Sequence, residues 1–417
     1  MTAWPLPADF ATPPTPAQLV AWEEADRAAR PSRIDRLRAR FEAAGVDAYF
    51  GVRREHMRYL TGFTLAEGEV KAAGYSGQFL IGGDDVVVLA DSRYTIQARR
   101  EAPEARLFEA YSEFPKRWPE LAASIGAKRI AVEAGFVSHA AWQRYAEAAP
   151  GVELVPVEGW LETDRAVKEP AELERVAAAC AVADRALAAL LPEVKPGVTE
   201  TTLAMRLEWL MRTEGAEALA FDVACLGGPE AALPHGAPGD RPIIAGQVLL
   251  FDFGAQVAGY RSDMTRTVFV GDPTPRDLDV YEVVAKAQSA AIDAIEAAVD
   301  GAQPSSALPS GRTIDRVARD IIANAGHGDH FGHSLGHGIG LATHEAPSLS
   351  KVASEDPLPS PTVFSVEPGI YLDGETGIRI EDLVLLDAAA RRVERVTRFP
   401  REILVIGADN AAGRPVP

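Results

Sequence analysis

The order helix, helix, hairpin occurs twice between residues 165 and 390, and no other feature of the chain restricts its fold so far. Residues 171–190 and 199–213 have helical composition and spacing, with Thr199 placed to cap the second, and a strand pair follows at 248–253 and 260–270. The plan returns with helices at 278–299 and 313–325 and strands at 362–367 and 377–386. Such a repeat predicts two related halves about a pseudo-twofold axis. A site built between them would draw side chains from both hairpins.

Each hairpin carries an acidic pair. A turn centred on Val257–Ala258 sets Asp252, in LLFDFG, opposite Asp263, in RSDMTRT. A turn around Asp373–Gly374 sets Glu367, which ends TVFSVE, opposite Glu381, in GIRIED. Like charges directly opposite on a sheet face lie about 5 Å apart at Cβ and repel. Asp252 also interrupts an apolar strand, where an unpaired charge is costly. One such pair is ordinary in a surface turn; the same pair in both halves of a repeat calls for a cation. Between the hairpins lies GHSLGHGIGLATHE, with His333, His337 and His344. Its glycines permit close backbone approach, and imidazole is a frequent ligand of Mn, Fe, Co and Zn. One histidine joined to four carboxylates makes a hard, oxygen-rich site suited to Mn(II) or Co(II) rather than to structural zinc. Four carboxylates also supply enough oxygens to bridge two ions about 3.5–4 Å apart.

The rest of the chain narrows the options. Its 417 residues predict two or three domains. Acidic residues outnumber basic ones by 60 to 42, a formal charge of −18, which disfavours nucleic acid and anionic membrane as partners. No apolar run approaches the ~18 residues of a membrane span. Cys180 and Cys225 are too few for a disulfide framework and read as buried thiols. Residues 1–31 are rich in proline and read as an extended N-terminal arm with a short helix near 17–29. The first twenty residues have no Lys or Arg, so no secretory signal is read and a cytoplasmic location is expected. Beyond residue 32, strand patterns at 46–52, 85–90, 107–111 and 129–132 alternate with helical ones and predict an α/β domain. His56 and His139 there have no partners at ligand spacing and are given no chemistry.

Asp252 and Asp263 eleven residues apart, HSLGHGIGLATHE, VEPGIY and GIRIED together resemble the creatinase/prolidase-type metallopeptidase family, whose catalytic domain has the pita-bread fold. LADSRYTIQARREAP, at 89–103, resembles the N-terminal domain of the proline-specific members, a domain that methionine aminopeptidases lack. The resemblance implies an N-terminal α/β domain over 32–164, after the arm at 1–31, and an α+β pita-bread catalytic domain over 165–417. It implies two divalent ions per subunit, Mn(II) foremost and Co(II) or Zn(II) as substitutes. Asp252 would chelate one ion, Asp263 and Glu381 would bridge both, and His337 and Glu367 would hold the second. His337 rather than His333 matches the ligand, because it precedes His344 by seven residues as in the family pattern.

The same resemblance gives Glu367 the proton of the attacking water, to be passed to the leaving nitrogen. His235, in LPHGAPG, and His344 would hydrogen-bond the substrate and stabilise its tetrahedral intermediate. His333 would line the proline pocket or support His337. Arg379, two residues before Glu381 on the same strand face, would pair with a metal-site carboxylate and orient it.

The implied activity is hydrolysis of the Xaa-Pro bond, a tertiary amide with no N–H and a ring-fixed shape, by a homodimer. Prolidases cut Xaa-Pro dipeptides; aminopeptidase P, the alternative, cuts longer Xaa-Pro peptides. Some prolidases hold the substrate carboxylate with an arginine shortly after the His-Glu pair, where this chain has Ser348. Creatinase shares the fold without the metal site, and non-catalytic scaffolds on this fold would lose ligands. All five ligand positions are filled here, which disfavours both.

Overall fold

A computed structural model of the chain describes residues 13–66, 74–301 and 308–406, and the backbone of Arg414–Pro415. The chain divides into two compact units, Val20–Asp164 and Arg165–Pro417 with Met1–Leu19. No described helix is long and apolar enough to cross a membrane.

The arm expected over residues 1–31 is corrected in part: the short helix read near 17–29 belongs to a longer one, Pro16–Arg38, and residues 1–12 lie outside the described residues. Thr15 Oγ1 accepts a hydrogen bond from Gln18 N at 3.2 Å. Pro16 sits in the first turn, where a missing N–H costs nothing. Pro31 lies inside the helix, and burial of Trp22, Ile34 and Leu37 offsets the bond it removes. Proline density thus conceals the length of the helix, which runs on past Pro31.

The Val20–Asp164 unit holds one mixed sheet of β1 (Ala48–Gly51), β2 (Phe79–Ile81), β3 (Val86–Ala90), β4 (Arg106–Glu109), β5 (Arg129–Glu133) and β6 (Glu153–Val157), in the order β4-β3-β2-β1-β5-β6. Short β2, antiparallel to both neighbours, and β6 escape the pattern reading. Phe50, Trp118, Leu121, Val132 and Tyr145 form its core. His56 is fully buried, with Nδ1 2.5 Å from Glu133, whose carboxylate also accepts from the Tyr49 hydroxyl at 2.7 Å.

The other unit carries the repeat. Helices Pro170–Leu190 and Glu200–Thr213 precede β7 (Ala218–Leu219), β8 (Ala224–Gly227), β9 (Gln247–Phe253), β10 (Ala255–Val257), β11 (Tyr260–Arg261) and β12 (Met264–Val270). Helices Pro275–Asp300 and Gly311–Asn324 precede β13 (Gly336–Gly338), β14 (Glu345–Leu349), β15 (Thr362–Val366), β16 (Gly369–Leu372), β17 (Thr376–Arg379), β18 (Asp382–Asp387), β19 (Arg392–Arg395) and β20 (Leu404–Ile406). Thr274 and Ser310 cap the second pair of helices with their hydroxyls. One sheet runs β20-β12-β9-β8 and the other β14-β13-β15-β18-β19. Leu250 and Phe269 of the first half and Phe364 and Val384 of the second share a core with Val284, Ile295, Ile314 and Ile322 of the helices. One apolar layer therefore fixes both hairpins.

The first hairpin differs from expectation in register. Its turn residues are Ala258 and Gly259, both at positive φ (48° and 83°), one position beyond the predicted turn. Asp252 therefore pairs with Thr265, and Asp263 lies just before β12 instead of facing Asp252 directly. In the second hairpin Val366 pairs with Asp382 and Gly369 with Arg379. Glu367 and Glu381 occupy the break between these two ladders, at the expected matching positions.

Candidate metal centre

The glycines around His337 let three strands crowd together. A Cβ on Gly336 would stand 1.9 Å from the Ser365 carbonyl oxygen, and one on Gly338 would stand 2.1 Å from that of Ala346. Only glycine allows β13 to lie so close between β14 and β15. His337 N then donates to Ser365 Oγ at 3.0 Å, and that hydroxyl donates to Glu367 at 3.0 Å. The imidazole Nδ1–H donates to the Gly338 carbonyl at 3.1 Å. That bond sets the tautomer and turns Nε2 toward Glu367 (3.3 Å) and Asp263 (3.7 Å), the arrangement of a metal-ligating imidazole.

Among the described residues, one group of three or more His, Cys, Asp and Glu can hold an ion: Asp263, His337 and Glu381, with ligand atoms all within 4.8 Å of one another. Asp252 and Glu367 line the same cavity, of about 500 Å³, as do His235, His333, His344 and Arg379. All nine side chains singled out in the sequence thus meet at one place.

The charges there are unbalanced. Burial raises the Asp263 carboxyl well above its usual range, and the Glu381 charge adds to it. Glu381 is raised well above its range by burial and then by Glu367, and Asp252 is raised by burial. Burial would raise Glu367 too, but hydrogen bonding and charge from His337 outweigh it and lower it. Glu381 Oε1 is buried with no hydrogen-bond partner. Crowded buried carboxylates, an orphaned oxygen and an imidazole held by its far nitrogen fit divalent cations.

Several residues that set this geometry escape sequence reading. Thr265 Oγ1 donates to Glu381 Oε2 at 2.7 Å and accepts from Arg379 Nε at 2.8 Å. Arg379, 3% exposed, also donates to Asp252 at 2.5 Å and to the Tyr371 hydroxyl at 2.8 Å. Tyr371 in turn donates to His333 Nε2 at 2.8 Å, whose Nδ1–H donates to the Ser334 carbonyl at 2.8 Å. Gln288 donates from its side chain to the carbonyls of Val366 and Ile380, at 3.2 and 3.1 Å, one residue before Glu367 and Glu381. The correct hairpin register would have pointed to Thr265. Nothing in the local pattern points to Gln288, which sits in a helix.

His235 and His344 are held from behind. Buried Glu200 accepts from Gly227 N (2.8 Å) and Gly239 N (2.9 Å), closing the loop that carries His235. His344 lies 4.2 Å from His337 between ring centroids; burial, and then the His337 charge, lower its proton affinity and favour the neutral ring. Its neighbour Glu345 ion-pairs with Arg165, and with Lys168 at 2.7 Å.

Comparison with known proteins gives the same picture. The sequence profile of metallopeptidase family M24 matches residues 174–388, and that of the creatinase/prolidase N-terminal domain matches residues 33–167. An uncharacterised peptidase of Bacillus subtilis, YqhT, is 34% identical over 374 residues, 90% of this chain and 100% of that protein. The structure of an Xaa-Pro dipeptidase from Bacillus anthracis superposes with a TM-score of 0.80 at 31% identity, covering 90% of this chain and 99% of that one. That of an X-Pro aminopeptidase from Thermotoga maritima does so with a TM-score of 0.74 at 34% identity, covering 87% and 98%. With its creatinase-type N-terminal domain and pita-bread catalytic domain, the chain belongs to metallopeptidase family M24.

Proposed function

We propose that the protein is a dinuclear-metal Xaa-Pro dipeptidase, with domains at 32–164 and 165–417. The convergence of Asp252, Asp263, His337, Glu367 and Glu381 on one cavity carries this reading. These five would hold two divalent ions, Mn(II) foremost by its preference for carboxylate oxygen. Such ions, when bound, acidify water and polarise the scissile carbonyl.

The chain's own side chains do the rest. Glu367 takes the proton of the attacking water and delivers it to the departing proline nitrogen. His235 and His344 donate hydrogen bonds to the substrate carbonyl as its oxygen gains charge. Arg379 holds Asp252, and Thr265 holds Glu381, so that neither carboxylate must reorganise during the reaction. His333, fixed by Tyr371, forms the wall against which the proline ring packs. A cytoplasmic homodimer belongs to the same reading; a dimer mass in size-exclusion chromatography with light scattering supports it and a monomer mass rejects it.

Removal of the N-terminal residue from longer peptides is a second reading. It is favoured by Ser348 in the cavity wall, where a carboxylate-binding arginine is absent, and by the likeness to an X-Pro aminopeptidase. Hydrolysis of Ala-Pro beside Ala-Pro-Ala separates the two. Dipeptide cleavage alone supports the dipeptidase, and preferred cleavage of the tripeptide supports the aminopeptidase. Cleavage of neither with Mn(II) present rejects both.

A further inference from the structure

Two of the histidines that take no part in the centre described above stand side by side. His327 and His330 lie in the turn that follows helix Gly311–Asn324. His327 N donates to the Ile322 carbonyl at 3.0 Å, and His330 N donates to the His327 carbonyl at 2.9 Å. This closed turn directs both rings to one side. Their Nδ1 atoms are 3.4 Å apart, the ring centroids 5.6 Å apart, and the planes inclined by 53°.

That separation is long beside the roughly 2.7–3.2 Å of an N–H···O hydrogen bond. It matches the bite of a metal ion. Two nitrogens bound at about 2.0–2.1 Å with a tetrahedral angle between them stand roughly 3.4 Å apart. Extending each bond to its ring centre gives a centroid separation of roughly 5.3 Å on the same bond lengths, close to that observed. His330 is exposed and His327 half-buried, so the shared face opens to solvent. Burial, and then the charges of His330 and Arg276, lower the proton affinity of His327 and favour its neutral ring. Arg276 itself is bonded to Glu375 at 3.0 Å.

We propose that His327 and His330 bind one divalent transition-metal ion of the nickel, copper or zinc kind, separate from the carboxylate centre. Paired imidazoles select these ions over Mn(II), whereas the oxygen-rich centre suits Mn(II). One chain would thus sort two classes of metal. The turn leads directly into Phe331, whose ring meets that of His333 edge-on at 5.1 Å. An ion on the turn would therefore stiffen the segment that enters the cavity.

The test uses untagged, Mn(II)-loaded protein on immobilised Ni(II). The wild type is expected to be retained and to elute with imidazole. His327→Gln and His330→Gln are each expected to lose retention with unchanged circular dichroism. His139→Gln, which removes a lone exposed histidine, is expected to stay bound. Should the half-buried His327 variant fold poorly, exposed His330 carries the test alone. A wild type that flows through, or a His330→Gln variant retained like the wild type, overturns the proposal.

Discussion

At the scale of single residues, the account depends on how the buried carboxylates are held. Arg379 donates to Asp252, Thr265 and Tyr371 at once, a fan of contacts that a lysine ammonium cannot reproduce. Arg379→Lys is therefore expected to cost about 10–100-fold in kcat/KM or metal affinity, measured by Ala-Pro hydrolysis across Mn(II) concentrations; unchanged values would remove Arg379 from the site. Asp263→Ala and Glu381→Ala are expected to abolish turnover and bound metal together, and full activity in either would refute the ligand set. His344→Ala is expected to lower turnover while metal content stays nearly intact. The acidic pairs were legible because carboxylates inside apolar strands are rare enough to need a reason, whereas the full ligand set and the role of Arg379 rested on the family resemblance. Thr265 was not legible, since a turn displaced by one position changes which residue faces Asp252.

At the scale of elements, the helix Pro275–Asp300 does more than fill the core. Gln288 satisfies the carbonyls that immediately precede two of the acidic residues. Gln288→Leu removes buried hydrogen bonds to both carbonyls and to Asp382, at an expected cost of about 1–3 kcal/mol in urea unfolding, with a weaker apparent affinity for metal. A variant with unchanged stability would show that the helix contact is incidental. The repeated helix, helix, hairpin order was legible because helical and strand periods differ and the pattern recurs. Helix Pro16–Arg38 was legible only in part, as the short stretch near 17–29, because its prolines read as breakers. In fact Pro16 occupies a permitted first-turn position, and buried side chains carry the helix through Pro31. Short β2 was missed because three apolar residues carry no period.

At the scale of the whole molecule, tertiary packing brings together groups that lie far apart along the chain. Glu345, beside His344, is buried against Arg165 and Lys168. Burial would raise its carboxyl, but the Arg165 and Lys168 charges outweigh burial and hold it at about 2, below the ordinary 4.5. A depressed folded-state value means that the unfolded chain takes up protons first. The pair's stabilisation is therefore present above pH 4.5 and lost as pH falls toward 2. Glu345→Gln, which strands two buried cations, is expected to destabilise the fold by about 3–5 kcal/mol near neutrality and to flatten the loss of stability between those pH values. A variant that follows the wild-type acid curve would contradict this. No sequence pattern announces the cluster, because its members sit in different elements and meet only when the chain has folded. The central claim, that five side chains from the two halves hold the metal that does the chemistry, is tested most directly by metal content measured on the preparation whose Ala-Pro turnover is followed. The account predicts about two Mn(II) per chain, as in two-metal hydrolases, with turnover that disappears on chelation and returns with Mn(II); full turnover from metal-free protein would contradict it.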